Sequence, residues 1–270
     1  MRRLASWGAL CVLPLVGLAV LLVEPSLDLV WENHPAHFWL VLTAAAINVA
    51  LGYAVGVAAR RRRDARLFLV SLAFVSAAGF LGLHALATPG VLIGKNAGFE
   101  LATPVGLVVA GVFAAASGFP LRARAAERVL SWAWLLTGSV FVLMAIWAAI
   151  SLAEVRPLAG ELGTEQLDGW QITLAAIGVV LYTAAAIGYY RLYRRRGVSF
   201  LLGIALAFAL LAEAMLVIAW ARNWRVSWWE WHLLMLVAFV TIAISARTEW
   251  HEERFSPLRR LHLHLKPSRS

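Results

Sequence analysis

Long apolar stretches alternate along this chain with short polar connections, and the apolar stretches are long enough to cross a bilayer. A spanning helix needs roughly 20 mostly apolar residues, because each residue rises about 1.5 Å and the hydrocarbon core is about 30 Å thick. Eight segments meet that requirement: Trp7–Val23, Phe38–Ala59, Leu67–Ala87, Leu101–Gly118, Ser131–Ala153, Gln171–Tyr190, Ser199–Ala221 and His232–Glu249. The pattern predicts an all-α integral membrane protein, an eight-helix transmembrane bundle over residues 1–249 with a basic tail over 250–270, into which the last helix is expected to continue until Pro257 stops it. The first segment also has the form of a secretory signal peptide, with Arg2 and Arg3 ahead of an apolar core. No small-x-small cleavage site falls near Val23–Ser26, so a retained helix is expected.

Composition supports the membrane assignment. The chain is 61% hydrophobic and 14% charged, whereas soluble domains carry about 25% charged residues. A formal net charge of +9 would suggest nucleic acid as the partner of a soluble chain. Here the arginines sit in short connections beside the apolar runs, so the expected partner is the lipid bilayer and no nucleic acid. Arg2 and Arg3, Arg60 to Arg66, Arg122 to Arg128 and Arg191 to Arg196 all fall on one side. By the positive-inside rule that side is cytoplasmic, which puts both termini there in a multi-pass protein of the inner (plasma) membrane. Cys11 is the single cysteine, so neither an intrachain disulfide nor a thiolate metal cluster is expected.

The same topology sorts the unusual polar residues. His34, His37, His84, Glu100 and His232 fall outside or near the outer leaflet, and His251, His262 and His264 belong to the tail. The last outer connection, residues 221–232, reads ARNWRVSWWEWH and brings Arg222, Asn223, Trp228, Trp229, Glu230 and His232 together. Tryptophans favour the headgroup level as an aromatic belt. Neighbouring tryptophans point to different sides of any helix or strand, so some of Trp228, Trp229 and Trp231 must face protein or a ligand.

Imidazole is a common ligand of zinc, copper and haem iron, which makes His34, His37, His84 and His232 candidate ligands for copper or haem. Pro35 argues against His34 and His37 sharing a helical face. Glu213 lies inside the seventh span, where a carboxylate must be protonated, paired or turned to a cavity. It is either a proton-carrying group of a transporter or a neutral acid bonded to Asn48. In the third span Ser76, Phe80, His84 and Thr88 repeat at four-residue spacing, with Gly79 and Gly82 allowing close helix approach. A pocket opening outward between spans three, seven and eight is the expected composite, lined by His37, His84, Glu100, Glu213, Arg222, Asn223, Trp228, Trp229, Glu230 and His232. The chain has no GxxxxGK[ST], HExxH, GxSxG or GxGxxG signature, so it is not expected to be an enzyme by itself.

The stretches HFWLVLTAAAINVALG (37–52), RRRDARLFLVSLAFVSAAGFLGLHALATPGVL (61–92), ATPVGL (102–107), LAEAML (211–216), ARNWRVSWWEWH (221–232) and EWHEERFSPL (249–258) carry a resemblance. They resemble the N-terminal multi-span region of actinobacterial membrane-bound adenylate/guanylate cyclase family proteins. In those proteins a segment like ERFSPL leads into a nucleotide cyclase domain; here Leu258 is followed by the basic stretch 259–270, and cyclase activity is not carried over to any of these residues. The outer pocket, read beside this resemblance, points to a sensory or regulatory module in which an unknown small ligand on the outer face biases helix packing and span eight conveys the shift to a cytoplasmic signalling domain. The alternatives are a haem- or copper-binding membrane redox protein and a proton-coupled transporter using Glu213, with a homodimer as a further expected assembly.

Overall fold

The computed structural model describes residues 2–86, 88, 96–155, 158 and 169–264. Ten helices follow one another among these: α1 (Arg2–Val23), α2 (His34–Arg62), α3 (Ala65–Leu86), α4 (Ala97–Glu100), α5 (Ala102–Gly118), α6 (Ala123–Ser131), α7 (Ala133–Leu152), α8 (Gly169–Arg196), α9 (Ser199–Trp220) and α10 (Val226–His264). Among the described residues the extended pairing consists of the isolated antiparallel bridge Val30–Arg225.

Seven helical stretches are long and apolar enough to cross a membrane: His34–Arg62, Ala65–Leu86, Ala97–Gly118, Ala133–Leu152, Gly169–Arg196, Ser199–Trp220 and Val226–Arg247. The chain is a multi-pass helical membrane protein. In α1, which contains Pro14, the apolar helix Cys11–Val23 is shorter than these spans. The connection 89–95 and residues 159–168 and 265–270 of the expected outer loop and tail lie outside the described residues.

Short connections force neighbouring spans antiparallel, so the helix ends sort into two groups. The starts of α2, α5, α8 and α10 and the ends of α3, α7 and α9 form one end, which carries the histidines. Arg60 to Arg62 and Arg194 to Arg196 lie in the last turns of α2 and α8 at the other end, where their charge suits the negative pole of each helix. Packing runs α2 to α3, α3 to α5, α5 to α8, α8 to α9, α9 to α10 and back to α2, closing a ring. Within it α9 is the most enclosed span, at 78% buried, whereas α7 at 11% lies on the outside. Trp147 of α7 donates its indole N–H to Gly98 O at 2.8 Å, and Asn96 donates to Ser151 O at 2.8 Å.

Three expectations need correction. The last span starts at Val226, so Trp228 to Trp231 are helical and do not form a loop. Pro257 does not stop α10, which runs on to His264. A proline removes one backbone bond and can bend a helix without ending it. Gly79 does permit close approach, since a Cβ there would collide with Met144, but Gly82 faces open space.

Candidate metal centre

The start of α2 shows why Pro35 does no harm. Asn33 caps the helix, its side-chain oxygen accepting from Ala36 N–H at 3.0 Å. A proline in the first turn gives up an N–H that has no partner within the helix anyway. The helix therefore begins at His34, and His37 is turned inward with 3% exposure. His34 lies 2.8 Å from Glu32 and packs on the ring of Trp224, outside the three-nitrogen group.

Two further histidines meet His37. His84 lies in the last turn of α3, and His232 in the second turn of α10; both are buried. His37 Nε2 and His232 Nε2 are 3.1 Å apart, and one ring nitrogen from each of the three histidines lies within 4.8 Å of the others. The three helices are brought together across sequence separations as long as 195 residues.

Hydrogen bonding decides which nitrogen of each ring is the donor. His84 Nδ1 lies 3.1 Å from Phe99 O, and His232 Nδ1 lies 2.8 Å from Trp228 O. A carbonyl oxygen only accepts, so both Nδ1 atoms carry the proton, and in the neutral rings both Nε2 atoms present lone pairs. His84 Nε2 is buried and has no hydrogen-bond partner among the described residues. His37 Nδ1 lies 3.0 Å from the hydroxyl of Thr88, which can donate or accept. Each ring thus has an oxygen behind it and a nitrogen facing a shared centre, the arrangement by which outer partners orient metal-ligating histidines. A tetrahedral ion with bonds of about 2.0–2.1 Å sets its nitrogens about 3.3 Å apart, inside the range spanned here.

Tryptophans wall the cluster. The His232 ring lies 3.5 Å from that of Trp231 and 4.1 Å from that of Trp228, between centroids. Trp228 and Trp224 also pack against His37. All three of Trp228, Trp229 and Trp231 are buried against protein, at 8%, 6% and 5% exposure.

A clamp holds this end together from the connection ahead of α2. Trp31 N–H donates to Trp224 O at 2.7 Å, Val226 N–H to Leu29 O at 3.1 Å, and Trp229 Nε1–H to Trp31 O at 2.8 Å. The Asp28 carboxylate accepts from Ser227 N–H at 2.9 Å and from its hydroxyl at 3.0 Å, which caps α10 from 199 residues away. Arg225 donates to Asp28 O at 2.8 Å. Trp224 is held at φ +63°, a left-handed conformation that is uncommon for a bulky side chain and that persists only where the surroundings enforce it.

No protein-family model, curated protein or solved structure matches the chain. The remaining expected pocket residues spread around this centre. Trp228 and Trp229 line it, and Glu100 ends α4 directly after the Phe99 carbonyl that His84 engages. Glu230 turns toward α1, where a Cβ on Gly17 would lie 3.0 Å from its Oε1. Glu213 is half-buried on α9, and Asn48 donates to Ala44 O at 2.8 Å. Arg222 is exposed and Asn223 half-buried in the turn before α10. Ser76, Phe80, His84 and Thr88 are all buried, as their spacing predicts. The three histidines come from α2, α3 and α10, and α9 supplies no member of the group. Asp28, Ser227 and Trp31 escaped the sequence reading, and no local pattern marks a helix cap supplied from the far end of the chain.

Proposed function

We propose that this protein is a metal-responsive membrane module in which three imidazoles hold one transition-metal ion and its binding sets the packing of α2, α3 and α10. The observation that carries the proposal is the convergence of one ring nitrogen from each of three buried histidines within 4.8 Å, with the Nδ1–H groups of His84 and His232 committed to carbonyls so that their Nε2 lone pairs are left for ligation. A buried polar atom left without a partner costs about 1–3 kcal/mol, and ligation relieves that cost at His84 Nε2. Imidazole donors suit zinc, copper, iron and nickel. The close Trp228 and Trp231 rings take the space a porphyrin would need, which favours a bare ion over haem.

The cluster has two self-consistent arrangements. Without metal, the 3.1 Å contact is stable when His37 carries its proton on Nε2, donates it to His232 and accepts the Thr88 hydroxyl at Nδ1. With metal, that proton moves to Nδ1, the Thr88 bond reverses and all three Nε2 atoms ligate. A ligand that separates two arrangements in this way can shift a helix equilibrium. By the positive-inside rule the arginine end is cytoplasmic and the metal arrives from the other side, with both termini cytoplasmic when α1 crosses as an eighth span. The 39 residues of α10 extend about 58 Å, well beyond a hydrocarbon core of about 30 Å, so a shift at His232 reaches the cytoplasmic end. There the EWHEERFSPL stretch resembles the lead into a cyclase domain, which makes a cytoplasmic output domain or partner the receiver.

The test is metal content of the purified full chain in lipid nanodiscs after exposure to individual first-row ions. One ion per chain is expected, lost in His84→Ala and kept in His34→Ala. A properly folded wild-type chain that retains no ion of any kind would sink the proposal.

A further inference from the structure

We infer that the ion this centre selects is monovalent copper, Cu(I), held by three neutral imidazoles in trigonal geometry; the inference rests on the metal-centre proposal above. The donor group consists of His37, His84 and His232, with no carboxylate or thiolate among its members. Of the nearby acids, Asp28 is bonded to Ser227 and Glu32 to His34, Glu230 lies beside Gly17 of α1, and neither Glu100 nor Glu230 is a member of the donor group. The ligand set is therefore uncharged, and the ion keeps its full charge on binding.

That charge sits in poorly polarisable surroundings. All three rings are buried, at 3%, 6% and 0% exposure; Trp231 stacks on His232, and Trp228 packs against His232 and His37. The cost of moving an ion out of water grows with the square of its charge, so a divalent ion pays about four times the penalty of a monovalent one. Zinc normally recovers the difference through anionic ligands or a fourth ligand. The geometry here provides three nitrogens, which complete the shell of Cu(I), a d¹⁰ ion at ease with three imidazoles. Three bonds of about 2.0 Å in a plane put the nitrogens about 3.5 Å apart, between the 3.1 Å contact and the 4.8 Å limit of the cluster. Indole faces close to the rings also favour a cation. Binding is simple ligation of an ion delivered as Cu(I), with no change of oxidation state.

The test is competition on the full chain in nanodiscs, loaded without oxygen with Cu(I) and challenged with a roughly 100-fold excess of Zn(II), and separately with a Cu(I) chelator. Retained metal is counted per chain, and its oxidation state and coordination number are read from the X-ray absorption edge. One three-coordinate Cu(I) per chain that survives the zinc challenge is expected. His34→Ala, outside the three-nitrogen group, is expected to retain it, and His84→Ala to lose it while eluting as the wild type does. Displacement by zinc, or preferential loading with any divalent ion, overturns the copper assignment and leaves the metal-centre proposal standing. Retention of no ion from any source overturns both.

Discussion

At the histidine end, α2, α3 and α10 meet through directional bonds: imidazole to imidazole between His37 and His232, imidazole to the Thr88 hydroxyl just past α3, and an aspartate cap on α10 from the connection ahead of α2. Toward the arginine end, α5 and α8 meet through the absence of side chains. A Cβ on Gly188 would lie 2.5 Å from the carbonyl oxygen of Gly118, and one on Gly118 would lie 3.3 Å from the Ala185 backbone. Tyr189 and Ser117 add one hydrogen bond of 3.0 Å there. Lipid tails are as apolar as leucine, so close backbone approach supplies the stability of a membrane helix pair. Buried polar groups contribute little net energy and are kept where geometry has work to do. The glycine seam therefore packs α5 closely against α8, and the histidine end supplies the geometry on which the proposed metal centre rests.

The strongest way to break that contrast is to fill the seam. Gly188→Val is expected to destabilise the protein by about 1–3 kcal/mol or more, because the obstacle is backbone that cannot rotate away. Thermal unfolding in detergent would show it, and an unchanged midpoint would mean that α5 and α8 pack elsewhere. Metal retention at the far end should survive in whatever fraction remains folded.

Thr88→Val reverses the pattern. It removes the oxygen behind His37 Nδ1 and should weaken metal binding about 10–100-fold, while stability changes by about 1 kcal/mol. Thr88→Ser keeps the hydroxyl and should restore affinity. Equal affinity in all three chains would remove Thr88 from the centre.

Much of this was legible in the sequence, for reasons that differ by residue. Apolar run length located the spans, since the bilayer imposes one dimension on all of them. Adjacent tryptophans cannot all face lipid, and Trp228, Trp229 and Trp231 are indeed all buried. Four candidate histidines contained the three that meet. Spacing could not exclude His34, whose ring pairs with Glu32 and is not a member of the three-nitrogen group. Nor could it show that residue 37 faces residue 232, a pairing decided by how α2 and α10 pack. The aspartate cap was invisible for the same reason, with 199 residues between Asp28 and Ser227.

The cap offers a smaller effect at the histidine end. Asp28→Ala is expected to cost about 1 kcal/mol, in the range of lost N-caps, with faster amide exchange at Ser227 and Val226. Unchanged exchange would show that the clamp stands on Arg225 and the Trp31 pairing alone.

The smallest expected change has the opposite sign and tests the claim that only seam glycines are needed for packing. Gly138 lies in α7, and a Cβ there would meet nothing within 4 Å. Its only effect on folding is entropic, since glycine adds freedom to the unfolded chain and leaves the helix without a side-chain contact. Gly138→Ala should therefore stabilise by about 0.4–1 kcal/mol. The change should leave metal retention untouched, because α7 contributes no member of the histidine group. A loss of stability would mean that another surface, such as a second copy of the chain, packs against α7 at this position, and crosslinking through a cysteine introduced there would identify it.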